Sequence, residues 1–224
     1  MLLVGDHMTR EVITTTPDAT AAKVLGLCRE RRIRHMPVVG EDGRLVGMVS
    51  DRDLRSATPA LGDPARSEDL ERITVSEAMM REVFTAAPNN PIEEAANEMR
   101  ERSIGCLPVV EGGGDLVGIL TTSDVMAALV YLVGAHEPGS RLEIAMPDRP
   151  GSLAGVSGAF GELGVNIVAA ATGHRREPSA NAPPGSGDSP WRVAVFRVDT
   201  IDPTASIDFL EKAGYEVIPP KPGT

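Results

Sequence analysis

The sequence predicts a mixed α/β (α+β) chain in two parts, a tandemly duplicated unit of strands and helices followed by a ferredoxin-like βαββαβ unit. Two observations predict it. Sliding the chain by 71 residues lays Met8–Asp53 over Met79–Asp124 without a gap, with 18 of the 46 positions identical, among them Pro37/Pro108, Gly43/Gly114, Gly47/Gly118 and Asp53/Asp124. A duplication that keeps its prolines, glycines and closing acid keeps its backbone path, so two copies of one small unit pack together and form a cleft. Beyond a breaker cluster at His136-Glu137-Pro138-Gly139 a different order of elements begins.

Each copy opens with an extended run ending in proline, Val12 to Pro17 and Val83 to Pro88. A helix follows, with its apolar stripe at Ala21, Val24, Leu25 and Cys28 in the first copy and Ile92, Ala95, Ala96 and Met99 in the second. Two strands come next, Met36–Val39 and Leu45–Val49, joined through Glu41-Asp42-Gly43, whose Asp-Gly pair signals a tight hairpin turn; Leu107–Val110 and Leu116–Leu120 repeat them around Gly112-Gly113-Gly114. Proline at the entry of the first hairpin strand is tolerated only where no ladder partner needs its missing N–H, which places that entry at a sheet edge or cleft wall. Each copy closes with a helix after Ser50-Asp51-Arg52-Asp53 or Thr121-Thr122-Ser123-Asp124.

Past the breaker, Arg141–Met146 alternates as a half-buried strand. Pro150 begins a helix with Leu153, Val156, Phe160 and Leu163 on one face and Gly164 at its end. Val165–Val168 and Trp191–Val198 read as strands, Pro203–Ala213 as a helix and Tyr215–Ile218 as a last strand, completing βαββαβ. The stretch 173–190 holds prolines and glycines without apolar periodicity and reads as a mobile loop. The expected divisions are 1–134 for the doubled unit (copies at about 1–58 and 75–134), 135–140 for a linker and 141–219 for the third unit.

With 224 residues and 42% hydrophobic content there is room for two ordinary domains, and 3% aromatic content makes their cores aliphatic. A net charge of -10 argues against nucleic acid as a general partner and against anionic membranes. The longest uncharged apolar run, Val125–Ala135, has 11 residues and is too short to span a bilayer, and the N-terminus lacks a basic leader, so a cytoplasmic protein is expected. Cys28 and Cys106 have no metal-spaced neighbour and read as small core residues in a reducing compartment. No nucleophile stands with its base, and His7, His35, His136 and His174 are scattered, so neither a catalytic constellation nor a metal site is expected.

The Ser/Thr-x-x-Asp runs admit two readings. In one they are capping boxes, the hydroxyl taking an orphan helix N–H while the acid reaches back. In the other the helix start faces a phosphate and the acid one turn in accepts from the hydroxyls of a ribose. The copies differ in charge: Arg34, His35, Arg52 and Arg55 stand where the second has Gly105, Cys106, Ser123 and Met126. The arginines either hold a polyphosphate or balance an acidic surface, and a cleft shared by both halves would mix their contributions.

The run Met8-Thr9, Thr14 to Asp18, Arg34-His35-Met36-Pro37-Val38-Val39, Leu45 to Val49 and Ser50-Asp51-Arg52-Asp53 resembles a CBS motif, and the second copy resembles another, so residues 1–134 look like a CBS pair, or Bateman module. The resemblance implies an adenosine nucleotide or related ligand in a shared cleft, with the residues before the hairpin proline and near the first Thr run flanking adenine, the Asp on ribose and the Ser/Thr end near phosphate. The implied sites are Thr14, Ile33, His35, Met36, Pro37, Ser50 and Asp53, with Arg52 beside them, and Thr85, Ile104, Cys106, Leu107, Pro108, Thr121 and Asp124. Asp148-Arg149-Pro150-Gly151-Ser152-Leu153 with Gly164-Val165-Asn166-Ile167 resembles an ACT domain, which implies a small-molecule site at Asp148, Gly151 and Asn166; the bland reading gives Gly151 to the turn and Asn166 to the strand end. The whole arrangement resembles the AcuB-type family associated with acetoin utilisation.

The expectation is therefore a non-enzymatic, homodimeric regulator. It binds an adenine nucleotide (AMP, ADP or ATP), and a metabolite or amino acid at the ACT domain, and acts on a metabolic enzyme partner. The alternative is a structural adaptor that dimerises and docks an enzyme with empty clefts.

Overall fold

The computed structural model describes residues 2–57, 66–174 and 191–218. The chain divides into two compact units, Met1–Ala128 and Leu129–Thr224. The first contains α1 (Val4–His7), α2 (Ala21–Arg31), β1 (His35–Val39), β2 (Leu45–Ser50), α3 (Asp51–Ser56), α4 (Arg66–Arg72), α5 (Val75–Ala78), α6 (Ile92–Arg102), β3 (Cys106–Glu111), β4 (Asp115–Thr121) and the start of α7 (Thr122–Leu132).

The central helices form where the apolar stripes predict. Thr20 caps α2 by accepting from Lys23 N at 3.3 Å, and the helix buries Ala21, Val24 and Cys28; α6 buries Ile92, Ala95 and Met99. Both end on a residue in the left-handed region, Arg32 and Ser103, each with φ 55. That conformation turns the chain from helix into hairpin, and two non-glycine residues accept its strain at the same place in the repeat.

The hairpins β1–β2 and β3–β4 are antiparallel, with register shifts at the matching positions Val38/Val39 and Val109/Val110. Strand β1 is not an open edge. Thr15 N donates to Pro37 O at 3.0 Å and Val39 N to Thr15 O at 2.9 Å, so a one-residue parallel bridge flanks it opposite β2. Pro37 is accommodated because this bridge uses its carbonyl, and the N–H that proline lacks has no partner to serve. The β1–β2 connection is a turn closed by Gly43 N to Gly40 O at 3.0 Å.

The copies are interlocked. The core around α2, β1 and β2 is completed by Val75 and Met79, which open the second copy, while the core around α6, β3 and β4 is completed by Val4 and Met8, which open the first. The lead-in of each copy also pairs with the outer strand of the other: Thr9 and Ile119 exchange two backbone hydrogen bonds at 2.9 Å, as Met80 and Met48 do at 2.8 and 2.9 Å. Gly47 and Gly118 permit this crossing, since a Cβ at Gly47 would lie 2.7 Å from Met79 Sδ and one at Gly118 would strike Met8 Sδ.

In the second unit, β5 (Ser140–Pro147), α8 (Ser152–Glu162), β6 (Ile167–His174), β7 (Trp191–Val198), α9 (Thr204–Lys212) and β8 (Glu216–Ile218) form an antiparallel sheet in the order β6-β7-β5-β8, the ferredoxin-like plan. Leu142, Ile144, Ala194, Phe196 and Val198 pack with Val156, Phe160 and Leu210 from the helices, and the Phe160 and Phe196 rings lie 5.3 Å apart. Helix α8 starts at Ser152 rather than Pro150 because Gly151, at φ 88, is its N-cap. Strand β6 starts at Ile167 because Val165 N turns back to Phe160 O at 3.0 Å. The expected loop over 173–190 begins inside β6, and the rest of it lies outside the described residues. No helix is long and apolar enough to cross a membrane among the described residues.

Candidate functional site

Both Ser/Thr-x-x-Asp runs form capping boxes. Ser50 N and Oγ donate to Asp53 Oδ2 at 3.0 and 2.6 Å, and Ser50 Oγ accepts from Asp53 N at 3.1 Å. Thr121 N and Oγ1 donate to Asp124 Oδ2 at 2.7 Å each, with the return bond at 3.3 Å. The caps therefore occupy one oxygen of each carboxylate and the hydroxyl proton of each Ser or Thr. The other oxygen, Oδ1, accepts no hydrogen bond among the described residues.

A cleft of about 390 Å³ opens between the copies, within the size range of small-molecule sites. Its lining mixes the two halves. The first copy supplies Glu11, Val12, Ile13 and the run Arg32 to His35, and the second supplies Gly105, Ile119 and the start of α7 at Thr121, Thr122 and Ser123. Arg32 and Arg34 are exposed and have no ion-pair partner among the described residues. Two guanidiniums without ion-pair partners among the described residues thus line the same cleft as Thr121, Thr122 and Ser123 at the start of an 11-residue helix, where Thr122 N and Asp124 N are already bonded, an arrangement suited to an anion. Ile13 and Ile33 add apolar wall for a flat ring.

His35 sits against Gly105, where a Cβ would come within 3.0 Å of its Cε1. Burial holds its pKa below the ordinary 6.5, aided by Arg34 and opposed by Asp51 and Asp53, so the ring is neutral at pH 7. Its counterpart Cys106 is pushed up to about 12 by burial and remains a protonated thiol. Among the described residues no group of three His, Cys, Asp or Glu is placed to hold a metal ion.

Of the residues singled out in the sequence, the structure brings Ile33, His35 and Thr121 to one cleft, although they were divided between two sites. Asp124 belongs to the box at the cleft's helix start but is not part of the lining. Met36, Pro37, Cys106, Leu107 and Pro108 are buried in or beside the cores. Ser50, Arg52 and Asp53 lie at the start of α3, Thr14 is half-buried beside the Thr15 bridge, Thr85 is exposed and Ile104 packs against the second core. Arg32, Gly105, Thr122 and Ser123 were not picked out as ligand residues. The signal that could have found them is that each lies within two residues of a predicted one, Ile33, Cys106 or Thr121.

In the second unit Asp148 is closed by a bidentate pair with Arg192, at 2.9 Å from Nε and 3.1 Å from Nη2, and Arg192 also reaches Thr172 Oγ1 at 3.4 Å. Asn166 exchanges backbone contacts with Asp199, its N donating to Asp199 Oδ1 at 3.0 Å and its O accepting from Asp199 N at 3.1 Å. Gly151 supplies the positive φ at the head of α8.

The CBS domain model matches residues 4–59 and 75–131, and the ACT domain model matches residues 140–184. A CBS domain-containing protein of Dictyostelium discoideum is 35% identical over 143 residues, 62% of this chain and 99% of that protein. A homoserine O-acetyltransferase of Methanococcoides burtonii is 39% identical over 125 residues, but these are only 23% of the enzyme, so the likeness leaves most of it uncovered. Among solved structures, a Vibrio cholerae protein assigned to acetoin utilization (AcuB) is 34% identical with a TM-score of 0.52, covering 62% of this chain and 99% of its own. CBSX2, a CBS-pair protein of Arabidopsis thaliana solved in complex with AMP, is 28% identical with a TM-score of 0.50, covering 58% and 98%.

Proposed function

The chain belongs to the CBS-domain family, with an ACT domain behind its CBS pair, and from that premise we propose that it is a regulatory sensor whose CBS cleft binds an adenine nucleotide. One observation carries the reading: Arg32 and Arg34 of the first copy, without acidic partners among the described residues, face the start of α7 across a cleft of about 390 Å³. In this arrangement Ile13 and Ile33 flank the base, Asp124 Oδ1 accepts from the ribose hydroxyls, and the phosphates meet the guanidiniums and the helix start. AMP bound to CBSX2 supports the ligand class.

Binding regulates only if ligand favours one arrangement over another, with a coupling of about 1 to 3 kcal/mol. The route is α7, whose first residues line the cleft and whose last four belong to the second unit. We extend the reading to a cytoplasmic homodimer that acts on a metabolic enzyme and takes a small metabolite at its ACT domain, and the likeness to the AcuB protein supports acetoin or related carbon metabolism as its setting.

Calorimetric titration of adenosine, AMP, ADP and ATP tests the cleft. Saturable binding is expected, weakened about 10- to 100-fold in Asp124→Ala by loss of a charged double contact. Equal binding by both proteins would remove Asp124 from the ribose. A second reading, an adaptor with an empty cleft, is favoured by the engagement of Asp53 and Asp124 in their own caps and by the exposed apolar residues Met126, Leu129, Tyr131 and Leu132 on α7. A folded protein whose melting temperature no nucleotide shifts would select it.

A further inference from the structure

The residues of the cleft have counterparts at the 71-residue offset beside α3, and the backbone repeats there: Thr122 N donates to Gly105 O at 3.1 Å, and Asp51 N donates to Arg34 O at 3.0 Å. The side chains do not repeat. Arg34 and Gly105 exchange with each other, and both line the cleft beside α7. Arg34 therefore bridges the two places, tied through its carbonyl to the first residue of α3 while lining the cleft at the start of α7. Gly105 supplies no second arginine, and a Cβ there would crowd His35, 3.0 Å from its Cε1.

Without Arg34 neither place has a positive excess. Beside α7 the lining then carries Glu11 and Arg32, with Asp124 at the helix start. The residues 71 positions away beside α3 are Glu82, Asp51 and Arg52, with Asp53 in the cap, and Asp51 is paired to Arg55 at 3.6 Å. The Arg34 charge thus decides which place attracts a polyanion, and it cannot serve two.

We propose that Arg34 is a single shared phosphate anchor, so that the CBS pair takes one nucleoside triphosphate per chain, in the cleft beside α7, and its occupancy excludes a second triphosphate from the place beside α3. The proposal rests on the nucleotide reading and adds stoichiometry and charge selection to it. An uncharged nucleoside has no need of Arg34 and escapes the restriction.

Calorimetry on the full chain with ATP and with adenosine tests this. Expected are saturation at one ATP per chain, and in Arg34→Gln a fall in ATP affinity of about tenfold or more with adenosine affinity unchanged. Arg32→Gln, the companion variant, weakens ATP while keeping one ATP per chain. Two equal, independent ATP sites in the wild type would overturn the proposal, as would an Arg34→Gln variant that loses adenosine as strongly as ATP. Binding of neither ligand by folded protein would sink the nucleotide reading itself, and the anchor with it.

Discussion

The two closing ends of the CBS pair share a backbone and differ in what stands before it. Ser50–Asp53 and Thr121–Asp124 form the same capping box, and the helices before the hairpins end on the same left-handed residue. Yet Arg32 and Arg34 in one copy are Ser103 and Gly105 in the other, Thr122 replaces Asp51, and an 11-residue α7 replaces a six-residue α3. Positions that cap and turn the chain repeat, whereas most positions that line the cleft diverge, Glu11, Val12 and Ile33 excepted. The cap is therefore structural in both copies, and the proposed ligand role falls to the copy whose helix start lines the cleft with the arginines.

The largest expected effect breaks the symmetry of the cores. Leu54 is fully buried under α3, while its counterpart Val125 is only partly buried. Leu54→Ala should destabilise by about 2 to 5 kcal/mol, and Val125→Ala by about 1. Because each core holds the other copy's lead-in, urea unfolding of the CBS pair should show one transition moving as a whole; a separate early phase for the first copy would contradict the interlock.

Next in size is the contrast between the acids. Asp53→Ala and Asp124→Ala each remove a cap worth about 1 kcal/mol, but only Asp124→Ala should weaken nucleotide, by about 10- to 100-fold in calorimetry. Equal losses of affinity would return the two ends to equivalence.

The smallest effects are in the pH profile. His35 holds a proton less readily folded than unfolded, so the unfolded state binds more protons below about 6.5 and stability falls as pH drops through that range. Cys106 is the reverse: the folded thiol keeps its proton up to about 12 while the unfolded one loses it above 9.0, so stability falls as pH rises past 9.0. His35→Asn should flatten the acid limb of a urea-midpoint profile and leave the alkaline limb, and Cys106→Ala the alkaline limb alone.

Much of this was legible in the chain. The apolar stripes locate α2 and α6, Trp191–Val198 coincides with β7, and the two resemblances agree with the families matched. The candidate sites were less so. The CBS resemblance groups Ile33 with Asp53 in one copy's site, yet Ile33 lines one cleft with Thr121 and Thr122 of the other copy. Asp148 carries the expected acid but not its availability, since the Arg192 that closes it is 44 residues away.

By itself the sequence determined the duplication, the caps, the βαββαβ order and the charges each copy carries, because these follow from local period, turn chemistry and identity at fixed spacing. Only the tertiary structure decided that the lead-ins cross between copies, that two arginines of one copy therefore face the helix start of the other, and that Asp148 is already paired. The reason is physical: hydrogen bonds within a helix or turn connect residues a few positions apart, whereas a cleft is made by side chains from distant segments, and which segments meet depends on how whole cores are completed.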